Sequence, residues 1–317
     1  MKCVVSAIAI GATLACACHV ASAQSSVTVT QQGDGNTSST EQVINPALAT
    51  QAPLAFAVIS QIGTNNHAGG PGATSSGIYQ RDNFATYALI QQNGAGNNAG
   101  ITQEFTRGYS PVEGRMTQLG NGNSATVKQY IVTSSTAAVD QTGTGNVARV
   151  EQIESGDTRL QAVQNGNANQ VTIVQRGGTY GGPGVTQNGD GNTASMISNN
   201  SAGYGSTIVQ NGTFNSASIV QNINGFDSTI AIQQLGTGNR AGATQTGEFQ
   251  SALIDQIGND NLASVTQTGL PGGTSGNRAS IAQLGDSNTA LVRQLGQGYV
   301  ANVSQIGSGN YTNIYQH

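Results

Sequence analysis

Hydrophobic and polar positions alternate along this chain in short bursts, and the bursts recur. The plainest copy runs Gln256-Ile257-Gly258-Asn259-Asp260-Asn261-Leu262-Ala263-Ser264-Val265-Thr266-Gln267. Counted from Asn261, the residues Ala263, Val265 and Gln267 fall two, four and six positions on, a period of two that places them on one face of a strand. The positions between them are polar and suit water. Gly258 marks a turn, because glycine takes positive φ at little steric cost. A helix is excluded, since the apolar positions do not recur at three and four and Gly and Asn would interrupt every third turn. One strand and one turn make up the phrase Q-x-G-x-x-N-x-A-x-[V/I]-x-Q, and the closing glutamine of one copy opens the next.

The spacing of the copies divides the chain. Residues 1–23 stand apart. From 24 to 117 the strict Q-x-G-x-x-N phrase opens at Gln31, Gln61 and Gln92, separated by insertions that carry Pro46, Pro53, Pro71 and Pro111. From 118 to 233 it is regular: Gln118, Gln141, Gln164, Gln187 and Gln210 lie 23 residues apart, each with its asparagine (Asn123, Asn146, Asn169, Asn192, Asn215) and turn glycine (Gly120, Gly143, Gly166, Gly189, Gly212). A second position follows eleven residues after each opener, at Gln129, Gln152, Gln175, Ser198 and Gln221, so the other half of each repeat is twelve residues long, with a looser turn. From 234 to 317 the spacing tightens to eleven, through Gln234, Gln245, Gln256, Gln267, Gln283, Gln294, Gln305 and Gln316. Asparagines in this stretch are Asn239, Asn261, Asn288 and Asn310, and turn glycines are Gly236, Gly258, Gly285 and Gly307. Gln250 and Tyr299 replace two asparagines, and an insertion at Pro271-Gly272-Gly273 widens one interval.

One such strand cannot bury its face alone. Two arcs folded face to face close a coil of 22 or 23 residues around Ala, Val and Ile, each buried Val or Ile contributing about 1.5–3 kcal/mol. Coils stacked at ~4.8 Å then pair every strand in parallel. The predicted fold is therefore all-β, a β-solenoid running through 24–317 with amyloid-like, in-register stacking. Inward Gln and Asn amides would line up along the axis, each finding an identical partner above and below. They would also pin the register, since a slip of one residue breaks both rows and exposes the apolar face. The Gln and Asn positions named from Gln118 to Gln316, apart from Gln250, are thus the candidate stacking and polymerisation residues.

Composition narrows the picture. Only 8% of residues are charged and 5% aromatic, with no Trp. Such a chain is poorly supplied to fill a wide core, yet too weakly charged for simple disorder. Net charge is −4 with no basic run, which argues against nucleic acid and against a polybasic membrane patch. The first 23 residues read as a secretory signal, with Lys2 at the start, an apolar stretch from Val4 to Val20, and an Ala21-Ser22-Ala23 cleavage site after Ala23. The short apolar run and the cleavage site argue against a membrane anchor. A lipoprotein is disfavoured because neither Cys16 nor Cys18 has a leucine three residues before it. All three cysteines lie in this segment, so a chain starting at Gln24 has neither disulfides nor thiolate metal sites.

No catalytic set assembles from the sequence, and no enzyme, cofactor, metal or small-molecule substrate is expected. His67 lies in an insertion and His317 at the end of the chain. A polysaccharide-acting β-helix enzyme requires carboxylates converging with Arg or Lys, and the acids sit mostly at outward positions. Gly-Asp-Gly-Asn occurs at 33–36 and 189–192 but lacks the nine-residue period of calcium-binding repeats, and no Thr-x-Thr row suits an ice-binding face. The alternatives to a polymer are a monomeric solenoid adhesin and, as the least favoured, that enzyme.

The twelve strict phrases, at 31, 61, 92, 118, 141, 164, 187, 210, 234, 256, 283 and 305, resemble the repeats of the curlin family, the subunits of bacterial curli amyloid fibres. The resemblance implies export by a curli-type secretion machinery. It further implies assembly with itself and with other curlin-like subunits into a pilus- or fimbrium-like extracellular fibre, with roles in cell adhesion and biofilm matrix. Two departures stand out: there is no long Gly-rich leader before the first repeat, and the coils outnumber the usual five or so. The tandem eleven-residue copies after Gln234 are as similar to a nucleating subunit as to a major one.

Overall fold

The computed structural model describes residues 2–9, 13–20, 23–43, 55–69, 77–83, 85–106, 111–202, 205–270 and 275–317. Among the described residues there are strands and turns and no helix. The chain forms two compact units, Met1–Val163 and Gln164–His317; strand β14 (Gly156–Asn165) contains the junction.

The first unit is a β-solenoid of two sheets. One sheet takes β3 (Ala23–Gln32), β5 (Ala55–Thr64), β8 (Thr86–Ala95), β10 (Val112–Asn121) and β12 (Thr136–Thr144), side by side and all parallel. The other takes β4 (Asn36–Val43), the pair β6 (His67–Ala68) and β7 (Ile78–Arg81), β9 (Asn98–Glu104), β11 (Ser124–Tyr130) and β13 (Val147–Ile153), again parallel. The chain alternates between the sheets, one strand in each, so successive rungs of a sheet are successive coils. Two further strands, β1 (Lys2–Ala9) and β2 (Thr13–Val20), pair antiparallel with β4 and β3 respectively.

The alternation seen in the sequence sets the inside. Along β10 and β11 buried positions alternate with more exposed ones. Ile90, Met116 and Val139 stack in register on one sheet, and Ile101, Val127 and Val150 on the other; all six are essentially inaccessible. The space between the sheets is narrow. A Cβ placed on Gly114 would come within 2.8 Å of Cγ2 of Ile101 on the opposite sheet, so this rung has glycine where its neighbours have Ala88 and Ala137. Insertions leave the rungs intact. Ala68 pairs with Ser38 and Ile78 with Thr40, although nine residues separate them in the sequence, and the Gly77 N–H donates to the Ser39 carbonyl at 2.8 Å.

The second unit repeats the plan. One sheet holds β17 (Gly184–Asn188), β19 (Thr207–Thr213), β21 (Thr229–Thr237), β23 (Ser251–Asn259), β25 (Arg278–Leu284) and β27 (Val300–Ile306). The other holds β15 (Gln170–Arg176), β18 (Thr193–Ala202), β20 (Ser216–Phe226), β22 (Arg240–Thr246), β24 (Leu262–Thr268), β26 (Thr289–Leu295) and β28 (Tyr311–Gln316). All of these pairs are parallel. A short strand, β16 (Thr179–Gly181), lies outside these stacks. Register holds through β22, β24, β26 and β28, and slips once, between Asn199 and Ser201 of β18 against β20.

Candidate functional site

The ends of the strands carry the polar interior. In the first unit, Nε2 of Gln31 donates to Oε1 of Gln61 (2.6 Å), Gln61 to Gln92 (2.8 Å), Gln92 to Gln118 (2.9 Å) and Gln118 to Gln141 (2.8 Å). The facing sheet has its own row, Gln42 to Gln80, Gln103, Gln129 and Gln152, at 2.7–2.8 Å per step. In the second unit one row runs from Gln164 through Gln187, Gln210, Gln234, Gln256 and Gln283 to Gln305 at 2.8–3.0 Å. The other runs from Gln221 through Gln245, Gln267 and Gln294 to Gln316 at 2.8–3.2 Å. Ser198 takes the rung between Gln175 and Gln221, and the buried Oε1 of Gln175 has no hydrogen-bond partner.

Each amide has a second outlet. The other Nε2 hydrogen of Gln118 goes to the Asn98 carbonyl (3.0 Å), and that of Gln129 to Glu113 (3.1 Å). The glutamines therefore tie one coil to the next and one arc to its neighbour. This satisfaction is why amides tolerate full burial here: an unpaired buried polar group costs about 1–3 kcal/mol.

The asparagines form a second kind of row, at the corner after each of these strands. Nδ2 of Asn66, Asn97, Asn123 and Asn146 donates back to Oδ1 of the asparagine one coil earlier, starting at Asn36, at 3.0–3.2 Å. The second unit repeats this from Asn169 through Asn192, Asn215, Asn239, Asn261 and Asn288 to Asn310. The same Oδ1 also accepts the backbone N–H of the following asparagine, as Asn192 Oδ1 does from Asn215 N at 3.0 Å. The two rows have opposite polarity. Glutamines donate toward the C-terminal coil and asparagines toward the N-terminal one, while Asn Nδ2 also reaches forward to a glycine carbonyl, as Asn192 does to Gly212 (2.8 Å).

The turn glycines have φ between +101° and +124°: Gly120, Gly143, Gly166, Gly189, Gly212, Gly236, Gly258, Gly285 and Gly307. A further constraint is packing, because a Cβ on Gly120 would lie 2.1 Å from the Gly143 carbonyl oxygen. The glycines thus form a column, each one the reason the next can stack. Two positions later the chain passes through αL, at Gly122, Gly145, Gly191 and Gly238, and there Asn65, Ala168, Phe214, Asp260 and Ser287 are accommodated at φ 53–56°. The repeat phrase does not specify that position. Ala23 opens β3, opposite Val20 of β2.

Several residues were missing from the sequence-derived set. Gln31, Gln61, Gln92, Asn36, Asn66 and Asn97 belong to the same rows, and the strict phrase already marked them. Gln42 and Gln103 lie eleven residues after Gln31 and Gln92, so the spacing pointed to them too. Gln80 lies 19 after Gln61, displaced by the loop that replaces Ser39's rung. Outside the rows, exposed amides pair as well, Asn165 to Asn188 to Asn211 at 2.9 and 2.8 Å. His67 Nδ1 lies 2.5 Å from Thr37 Oγ1. Among the described residues no three His, Cys, Asp or Glu side chains converge as a metal site, and no helix is long and apolar enough to cross a membrane.

No curated protein matches the chain. Residues 236–269, which span the rungs of Asn239, Gln245, Gln256, Asn261 and Gln267, match the family described as Curlin associated repeat, and this stretch of the solenoid is curlin-like.

Proposed function

We propose that this chain is a structural subunit of an extracellular, curli-type fibre that grows by adding copies of itself coil upon coil, with no cofactor or substrate and with adhesion and biofilm matrix as its roles. One observation supports the reading above all: the buried amides of each unit are bonded along the stacking direction, rung to identical rung. An interior of this kind has no natural stopping point, because every rung offers the next the same pattern of donors, acceptors and strand edge. The curlin-associated repeat at 236–269 and the low charge, which keeps outward rows from repelling, point the same way. The secretion signal and the curli-type export route belong to this proposal, as do other curlin-like subunits as partners.

The test is incubation of the purified chain beginning at Gln24 at micromolar concentration, followed by thioflavin fluorescence and electron microscopy. Fibres with a 4.7–4.8 Å repeat along their axis are expected. A chain that stays monomeric for days overturns the proposal.

A further inference from the structure

The first coil is unlike all later ones. Its outer edge is paired with antiparallel strands rather than a parallel rung: β1 covers β4 from Lys2↔Val43 to Ala9↔Asn36, and β2 covers β3 from Val20↔Ala23 to Thr13↔Thr30. Ser25 Oγ, Gln31 Oε1 and Thr40 Oγ1 are buried on this coil without a hydrogen-bond partner. Among the described residues, Ser25 stands opposite Cys18 and Thr40 opposite Val5.

On every later rung of its row the matching glutamine Oε1 accepts from the coil before, as Gln61 accepts from Gln31. The missing donor for Gln31 is therefore a glutamine Nε2 on a preceding coil of the same design. The coil of β27 and β28 carries one. Gln305 Nε2 donates to the Thr289 carbonyl (2.9 Å), as other glutamines of the rows do, and to Thr312 Oγ1 (3.0 Å). The asparagine row, of opposite polarity, would close the same joint, with Asn36 Nδ2 donating back to Asn310 Oδ1 as each asparagine does to the one before it.

We infer that the outer edge of β3 and β4 is the face on which the β27–β28 coil of a second copy docks, Gln305 to Gln31, and that β1 and β2 are a displaceable cover on that face. The inference rests on the self-assembly reading. In the uncleaved chain the face is occupied, so that chain can be added to but cannot itself receive. Cleavage after Ala23 would remove the cover and leave the unpartnered acceptors facing outward.

The experiment compares the full chain (1–317) with the chain beginning at Gln24. By hydrogen exchange on dilute monomers, the outward-facing amides of Val27, Val29, Ser38, Thr40 and Gln42 are expected to be protected in the full chain and to lose that protection in the shortened one, while Thr37, whose N–H donates to the Asn66 carbonyl, stays protected in both. Equal exchange in both overturns the cover whether or not fibres form. On surface-held fibres grown from the shortened chain, a substoichiometric dose of full chain is expected to stop growth at one end and leave the other unchanged, because each added copy brings a covered face. The variant V5P/C16P, which removes one backbone donor facing Thr40 and one facing Val27, should relieve the block. If the full chain elongates fibres at both ends as fast as the shortened chain, the inference fails while self-assembly stands. If the shortened chain forms no fibres at all, self-assembly fails and the exchange result alone decides the cover.

Discussion

Each 23-residue coil turns two corners, and they are built on different principles. The corner from Gln118 to Asn123 takes five steps. It uses a glycine at φ +115°, an αL residue at Gly122, and an inward asparagine bonded to its neighbours above and below. The corner from Gln129 to Ser135 takes six. It uses αL residues at Ile131 and Ser134 (φ 51° and 45°) and points Val132 and Ser135 inward. On the next coil Glu154, Ser155, Asp157 and Thr158 do the same work. The extra residue changes what the corner demands. Ordinary side chains sit at αL for about 1–2 kcal/mol, whereas a φ near +115° beside a neighbouring carbonyl is open to glycine alone. The short corner is therefore legible as a motif, and the long one varies freely.

The sharpest way to break this comparison is a single methyl group. In Gly212→Ala the new Cβ would lie 2.0 Å from the Gly236 carbonyl oxygen at a backbone φ of +124°. Backbone strain and overpacking each cost about 1–3 kcal/mol, so a loss of about 4 kcal/mol is expected in the denaturation midpoint of the soluble chain. At the long corner, Glu154→Ala keeps φ 52° with a smaller side chain, and its effect should stay within about 0.5 kcal/mol. Comparable losses at the two sites would remove the distinction between the corners.

A smaller difference is expected from the inward polar groups. Asn192→Ala deprives the Gly212 carbonyl of its donor and Asn215 N and Nδ2 of their acceptor, all in a buried row. The expected cost is about 2–4 kcal/mol, as several groups are orphaned together. Ser135→Ala removes a bond to the Thr133 carbonyl, a 3.3 Å contact with Thr158 Oγ1 and a long, 3.3 Å acceptor for the Thr158 N–H, and about 1–2 kcal/mol should cover it. Fibre solubilisation in guanidinium, read beside monomer unfolding, checks both.

Much of this architecture could be read before any coordinates. Period-two alternation gave the strands, glycine the corners, and the eleven-residue return of glutamine the parallel register, because each is a local rule repeated many times. What escaped was of two kinds. Insertions hid rungs: Gln80 joins its row because pairing with β4 passes from Ala68, opposite Ser38, to Ile78, opposite Thr40, a tertiary event that spacing alone does not mark. Direction was hidden too. Nothing in an amide's position says whether it donates up or down, and the opposed polarity of the Gln and Asn rows follows from what each backbone leaves free: carbonyls across the coil for Gln, and the next asparagine N–H for Asn.

The comparison also predicts a gain. Beyond residue 234 the second corner has itself become short, with Gly247 at φ +99° and Phe249 in αL, but Gln250 stands where asparagine belongs. Its amide folds back onto the Thr246 carbonyl of its own turn, and its Oε1 is buried without a partner. One coil later Asn277 already behaves as a row member: its Nδ2 donates to the Gly296 carbonyl (2.9 Å) and its Oδ1 accepts the Tyr299 N–H (3.1 Å). In Gln250→Asn the shorter side chain would set Oδ1 at the height where the row places it, to accept from Asn277. The orphaned oxygen would disappear. A stabilisation of about 0.5–1.5 kcal/mol is expected, the worth of one hydrogen bond made where none existed. The same substitution at Ser135, in a corner one residue longer, should bring no such gain, because there the inward position does not meet the asparagine row's geometry. If Ser135→Asn stabilised as much as Gln250→Asn, the row would depend on amide chemistry alone and not on the five-step corner that aims it.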